Sequence, residues 1–262
     1  MTAQPAACAP ASGPPPQEAL SMILAGRLRL AWQPVRAASG GPFFEEGLAR
    51  LSLPCGGGVV AAGGWVPALE AAGLSAPLDR AALDLALTRL GRERSLRLSV
   101  NLSAANLCDA GWHARLARAA REDADAARRL IVEVTETAEP DIDRLSAARR
   151  RIAACGPAVA LDDFGAGHAT ASMALVLRPD LLKLDRRFAE DLRHGVSGAA
   201  DRFAQARRFA ALLDAPLIAE GAETPMEALR LIALGADGVQ GYGVAEPALA
   251  VDPAPSARRL SA

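Results

Sequence analysis

Lysine is nearly missing from this chain. Of its 29 basic residues only Lys183 is a lysine and the rest are arginines. Any site that needs a compact ammonium with a tunable pKa therefore has one candidate. Histidine is scarce as well. His113, His168 and His194 do not cluster in sequence with one another or with a nucleophile, and they read as surface or loop residues. The four cysteines, Cys8, Cys55, Cys108 and Cys155, form no CxxC pair, which argues against a zinc site and against a disulfide framework. No apolar run reaches the roughly 18 residues of a membrane span. The N-terminus has no basic segment followed by an apolar core, so a soluble, cytoplasmic protein is expected. The net charge of −1 supplies no field to draw in DNA or an anionic membrane, so binding to either is not expected.

What is present begins with a hydrophobic content of 51 %, enough for a sizeable core. Residues 1–17 are rich in Ala, Pro and Ser and read as a disordered tail, and residues 250–262 read as a flexible one. Between them, 18–249 shows no long linker and is expected to form a single domain. Eight β-like runs recur: LRLAWQPV (28–35), FFEEGLARL (43–51), LRLSVNLS (96–103), LIVEVTE (130–136), AVALDDF (158–164), LLKLD (181–185), PLIAEGAE (216–223) and DGVQGYGV (237–244). Segments with helical spacing lie between most of them, at 77–90, 112–120, 142–154, 203–213 and 225–234. This alternation predicts an α/β fold, a (β/α)8 TIM-like barrel. An open doubly wound sheet competes, but no GxGxxG or GxxxxGK[ST] follows an early strand. The glycine-rich CGGGVVAAGG (55–64) lacks the Lys and Ser/Thr of a phosphate cradle and reads as a flexible loop.

From the second run onward, each starts largely apolar and carries a polar residue in its middle or later part. These are Glu46, Asn101, Glu133 and Glu136, Asp162 and Asp163, Lys183, Glu220 and Glu223, and Gln240. Charge in a buried strand is expensive unless paired or metal-bound. In a barrel, the carboxyl ends of the strands converge on one face, where active sites of this fold lie. Carboxylates gathered there require cations, and oxygen-only ligands suit hard ions such as Mg²⁺ or Mn²⁺. Asp162–Asp163 is placed to bridge two such ions, the usual apparatus for attack on a phosphodiester. Lys183 would add a fixed positive charge beside the water or the phosphoryl group. Taken singly, Asp162–Asp163 could be turn chemistry and Asn101 a helix cap; the recurrence over consecutive strands is what favours a shared site.

These residues fall in motifs that resemble the EAL domain, a bacterial cyclic di-GMP phosphodiesterase family of second-messenger signalling. WQPV (32–35) is similar to the family's YQPI, EGLAR (46–50) stands where EALLR is expected, and NLS (101–103) is unchanged. EVTET (133–137) resembles ELTES, DDFGAGHAT (162–170) resembles DDFGTGYSS, and LLKLD resembles YLKID. AEGAET (219–224) and VQGYGVAEP (239–247) complete the series, which runs from about Glu18 to Pro247.

The resemblance implies an EAL-type barrel with one strand running against the others. It implies hydrolysis of cyclic di-GMP to linear pGpG with two metal ions, and a homodimer. By resemblance, Glu46, Asn101, Glu133, Asp162 and Asp163 are metal ligands, with Glu220 at the second metal or its water. Lys183 sits against the attacking water and Gln240 orients it. Arg50 holds a substrate phosphate, Gln33 and Leu48 line the nucleotide pocket, and Glu136 anchors the loop after Asp163. Two departures stand out: Gly47 replaces the signature's central Ala, and Ala166, His168, Ala169 and Thr170 replace Thr, Tyr, Ser and Ser. Glycine costs packing and backbone entropy, and the loop changes bear on activation through that loop. The alternatives are a catalytically weak or inactive cyclic di-GMP receptor, a protein-interaction module with an unknown partner, or another metal-dependent barrel hydrolase.

Overall fold

The computed structural model describes residues 13–54, 57–135, 141–165 and 171–250. Among these described residues ten strands appear in chain order. They are β1 (Leu28–Ala37), β2 (Pro42–Ser52), β3 (Val59–Ala61), β4 (Leu98–Ser103), β5 (Leu130–Thr135), β6 (Ala158–Phe164), β7 (Leu181–Leu184), β8 (Leu217–Ala219), β9 (Gly238–Val239) and β10 (Ala248–Leu249). Eight of them close on themselves in the order β1-β2-β4-β5-β6-β7-β8-β9, with β9 returning to pair with β1. The short β3 and β10 add to the outer reaches of β2 and β1. The barrel is the expected one, with its irregularity in view: β1 is antiparallel to both neighbours, β2 and β9, while the other seven run parallel. The first two strands form a hairpin across residues 38–41, so no helix separates them.

The helices are α1 (Pro16–Leu24), α2 (Val66–Ala71), α3 (Ala76–Arg92), α4 (Ala110–Glu122), α5 (Ala124–Arg129), α6 (Ile142–Cys155), α7 (Ala171–Leu177), α8 (Arg187–Arg193), α9 (Ala199–Leu212) and α10 (Pro225–Ala233). Side-chain caps set several of their starts: Asp109 accepts from the Trp112 N–H, Asp141 from those of Asp143 and Arg144, and Thr224 from that of Glu227. None of the described helices is long and apolar enough to cross a membrane. Cys108 and Cys155 are free thiols.

Two apolar clusters explain how the strands present polar groups. The larger lies between strands and helices and includes Leu98, Val100, Val132, Val134, Leu161, Leu182 and Leu217. The smaller consists of Val35, Phe44, Ile131, Ala160, Leu181 and Ile218, one from each of six strands. Side chains on a strand alternate between faces, so the residue two further along shares the face. Those residues are Glu46, Glu133, Asp162, Lys183 and, just past the end of β8, Glu220. In β1, which runs the other way, the order reverses and Gln33 precedes Val35. An apolar plug fills one level of the barrel interior, and the polar residues form the level above it.

Candidate active site

Lys183 is the centre of that polar level. Its residue is 1 % exposed, and its Nζ lies 2.7 Å from Glu133 Oε2, 2.6 Å from Glu220 Oε1, 3.1 Å from Asp162 Oδ1 and 3.1 Å from Glu46 Oε2. Among the described residues no other cation lies within ion-pairing distance of these four carboxylates. Amides complete the ring. Asn101 Nδ2 donates to Glu46 Oε1 at 3.1 Å, and Gln240 Nε2 donates to Glu46 Oε2 at 2.7 Å and to Gln33 Oε1 at 3.1 Å. Cross-strand register enforces these meetings, since Gln33 pairs with Glu46 and Asn101 with Glu133.

Adjacent residues on a regular strand point to opposite faces, so Asp162 and Asp163 should not share a site. A register shift between Leu161 and Phe164 resolves this: Asp163 adopts a left-handed φ of 52°. The irregularity turns both carboxylates toward Glu220, a local re-aiming of the kind bulges provide beside active sites.

The electrostatics follow from crowding. Burial pushes Glu133 up to about 8, the charge of Glu46 adds to this, and Lys183 opposes it. Burial, then the neighbouring Asp162 charge, raises Asp163 to about 7. Burial also raises Asp162 and Glu220, against the pull of Lys183. Glu46 differs: burial alone would raise it, but Lys183, Gln240 and Asn101 together hold it below its ordinary value. For Lys183, burial favours the neutral amine, yet Asp162, Glu133, Glu220 and Glu46 outweigh it and keep the ammonium charged.

Oxygens of Glu46, Glu133 and Asp162 converge within 4.8 Å of one another, as do those of Asp162, Asp163 and Glu220. The two groups share Asp162. Asn101 Oδ1 and Glu133 Oε1 are buried with no hydrogen-bond partner among the described residues, an arrangement costly without a ligand. Every donor atom is a hard oxygen, so these residues fit a pair of hard divalent cations.

A cavity of about 310 Å³ opens beside the cluster. Gln33, Leu48, Glu46, Glu220 and Gln240 line it, together with Arg186, Glu190 and Tyr242, which lie outside the site positions singled out in the sequence. Tyr242 is the chain's only tyrosine, a signal the sequence did carry. Arg50 continues the Glu46–Leu48 face of β2. Its Nη1 donates to the Ala49 carbonyl, and partial burial lowers its pKa while the charges of Tyr242 and Glu46 act to raise it. Glu223 stands at the cavity rim, paired with Arg193. Glu136 and the Ala166–Thr170 stretch lie outside the described residues. Gly47 has a local explanation: a Cβ there would come within 3.0 Å of Trp32 and 3.1 Å of Leu30 on the neighbouring strand.

Comparison with known proteins identifies the family of the chain. A model of the EAL domain matches residues 17–247. The bifunctional diguanylate cyclase/cyclic di-GMP phosphodiesterase MucR of Pseudomonas aeruginosa is 30 % identical over 228 residues, 84 % of this chain and 33 % of MucR. The cyclic di-GMP phosphodiesterase NbdA of the same organism is 32 % identical over 229 residues, 84 % of this chain and 29 % of NbdA. The chain thus spans about a third of the length of these curated relatives. Among solved structures, the MucR phosphodiesterase in complex with c-di-GMP superposes with a TM-score of 0.78 at 29 % identity, covering 89 % of this chain and 97 % of that one.

Proposed function

The chain belongs to the EAL domain family, and from that premise we propose that it is a metal-dependent phosphodiesterase that hydrolyses cyclic di-GMP to linear pGpG. The observation that carries this reading is the lone lysine held by four carboxylates, three of them buried, at a cluster whose two oxygen groups share Asp162. Glu46, Asn101, Glu133 and Asp162 would hold one divalent cation, Mg²⁺ or Mn²⁺, and Asp162, Asp163 and Glu220 a second. When bound, such ions neutralise phosphate charge and make water a better nucleophile.

The reaction consumes one water: an O–P bond forms, the bond from phosphorus to a ribose 3′ oxygen breaks, and that oxygen leaves as a hydroxyl. The chain's own groups divide this work. Gln240 spends its N–H groups on Glu46 and Gln33, and its Oε1 is buried without a partner. It is an acceptor free to orient a water hydrogen. Glu220 is the most open of the four carboxylates around Lys183, with 20 % of its side chain exposed, and it takes the proton that the water gives up. Lys183, fixed by its four partners, presents positive charge to the transferring phosphoryl group without reorganising. Arg50 steadies a phosphate, and Leu48, Gln33 and Tyr242 wall the nucleotide.

The test is to incubate the purified protein with cyclic di-GMP and Mg²⁺ or Mn²⁺ and resolve the products by chromatography. Accumulation of pGpG, abolished by EDTA, is expected. Tight nucleotide binding without product under either metal would replace the enzyme by a receptor. Turnover of simple phosphoesters with none of cyclic di-GMP would point to a different hydrolase.

A further inference from the structure

Arg193 closes α8, the helix that follows the Lys183 strand directly. Its guanidinium spends all three nitrogens on one neighbourhood. Nε and Nη2 reach the two carboxylate oxygens of Glu227 at 3.0 and 3.2 Å, Nη2 also donates to the Gly221 carbonyl at 3.0 Å, and Nη1 lies 3.0 Å from Glu223 Oε1. Glu227 in turn accepts the Glu223 N–H at 2.9 Å. Residues 220–223 lie outside helix and strand. Backbone bonds from the Ala222 N–H to the Gln240 carbonyl and from the Gly243 N–H to the Ala222 carbonyl tie down the middle of that segment, and the Arg193 side chain holds it on either side, at Gly221 and Glu223. The opposite side is closed as well. Gly221 has φ +77°, and a Cβ there would lie 2.7 Å from that of Arg186. The residue carried by this clamped segment is Glu220.

We propose that Arg193 is a positioning residue for Glu220: it fixes the loop after β8 to α8 and α10, so that the Glu220 carboxylate stays within reach of Lys183 and Asp162. The proposal rests on the reading above only in giving Glu220 a share in the cation site. A planar fork with several donors can hold a carboxylate, a carbonyl and a second carboxylate together, which a single ammonium cannot do with the same rigidity. Arg193 also neutralises Glu223 at the rim of a cavity that must admit anionic phosphates.

The experiment measures Mn²⁺ binding to the 262-residue chain, without nucleotide, by electron paramagnetic resonance. Wild type, Arg193→Gln, Glu220→Gln and the double variant are compared, with pGpG turnover measured alongside. Arg193→Gln is expected to weaken Mn²⁺ binding by about 10-fold or more, the scale of losing a partner that orients a ligand. In the Glu220→Gln background the same change should add less than about 2-fold, because the two act as one unit. Arg193→Lys should not restore binding, and Glu227→Gln, which removes the paired acceptor, should weaken it in the same direction. Thermal melting identifies any variant that fails to fold; if that is Arg193→Gln, Glu227→Gln with and without Glu220 carries the test. Equal losses in both backgrounds, or no loss, overturn the proposal. Arg193-dependent Mn²⁺ binding in a wild type that makes no pGpG would sink the enzyme reading and leave Arg193 its role. A wild type that makes pGpG with Mn²⁺ affinity indifferent to Arg193 would sink this inference alone.

Discussion

Replacing Lys183 by arginine keeps the charge and changes its shape, while replacing it by methionine keeps the stem and removes the charge. The pair separates what the ammonium contributes. The surrounding carboxylates keep Lys183 protonated, so any defect of Lys183→Arg is one of geometry. The site is closed, with four oxygens already at 2.6–3.1 Å from Nζ. A longer planar group must displace some of them, at an overpacking penalty of about 1–3 kcal/mol. We expect Lys183→Arg to lose about 10-fold or more in turnover and Lys183→Met about 100-fold or more, the scale of removing one electrostatic stabiliser. Stability should respond as well. Removing one partner of a buried ion pair costs about 3–5 kcal/mol, but here the carboxylates can take up protons instead, so the penalty depends on pH. A carboxyl whose pKa is higher folded than unfolded binds protons preferentially in the folded state, and the fold then loses stability as pH rises. For Glu133 that window runs from the unfolded value of 4.5 to about 8 with Lys183 present. Without the lysine it extends further upward, so metal-free Lys183→Met should lose stability with rising pH more steeply than wild type. Product chromatography and urea unfolding at a series of pH values read both effects. Full activity in Lys183→Arg, or an unchanged pH dependence in Lys183→Met, would refute the reasoning.

Gly47→Ala should destabilise the fold by about 1–3 kcal/mol through the contact with Trp32; adding Trp32→Tyr should recover part of the loss in denaturant midpoints. Asp79 is buried and pushed up to about 7, chiefly by that burial, although Asn106 and the Ser103 N–H donate to it. Its raised value makes stability fall as pH climbs from about 4 to 7, and Asp79→Asn should remove about 2–4 kcal/mol of that decline in urea titrations. Divalent cations at about 100 times Kd should add about 2.7 kcal/mol of stability, reversed by EDTA. Because Glu133 and Asp163 stand at about 8 and about 7, cation binding should release protons and tighten as pH rises through that range, read as buffer-dependent heats in calorimetry.

Much of the site was legible because strand periodicity writes it down. Phe44-x-Glu46, Ile131-x-Glu133, Ala160-x-Asp162, Leu181-x-Lys183 and Ile218-x-Glu220 repeat one pattern, an apolar plug and then a polar group two residues on. The direction of β1 was not legible from residues alone, because a period of two reads the same both ways; only the family resemblance carried it. Nor could spacing show how Asp163 joins Asp162, since that depends on a register shift against β7. The Arg193 clamp was hidden for a different reason. Its partners lie 28 to 34 residues away, on a loop and another helix, and charged residues on helices ordinarily read as solvated faces.

The charge balance of the site bears on what it is for. Two unit charges about 4 Å apart at an effective dielectric of 20 interact by about 4 kcal/mol, so five carboxyl groups gathered around one ammonium repel one another, and an incoming phosphate, to the extent that they ionise. A barrel that only gripped a cyclic dinucleotide would bind it better, and fold more stably, with several of these acids replaced by amides. Burial first, and the neighbouring carboxylates second, raise Glu133 and Asp163 in the metal-free protein. Under the proposed function the full set would become favourable with cations held by the oxygen groups around Asp162, whose charge would offset the repulsion of phosphate. Strongly perturbed groups gathered in one cleft are the usual mark of chemistry rather than of packing, and here the residues that strain the fold are the ones to which the proposed hydrolysis assigns its work.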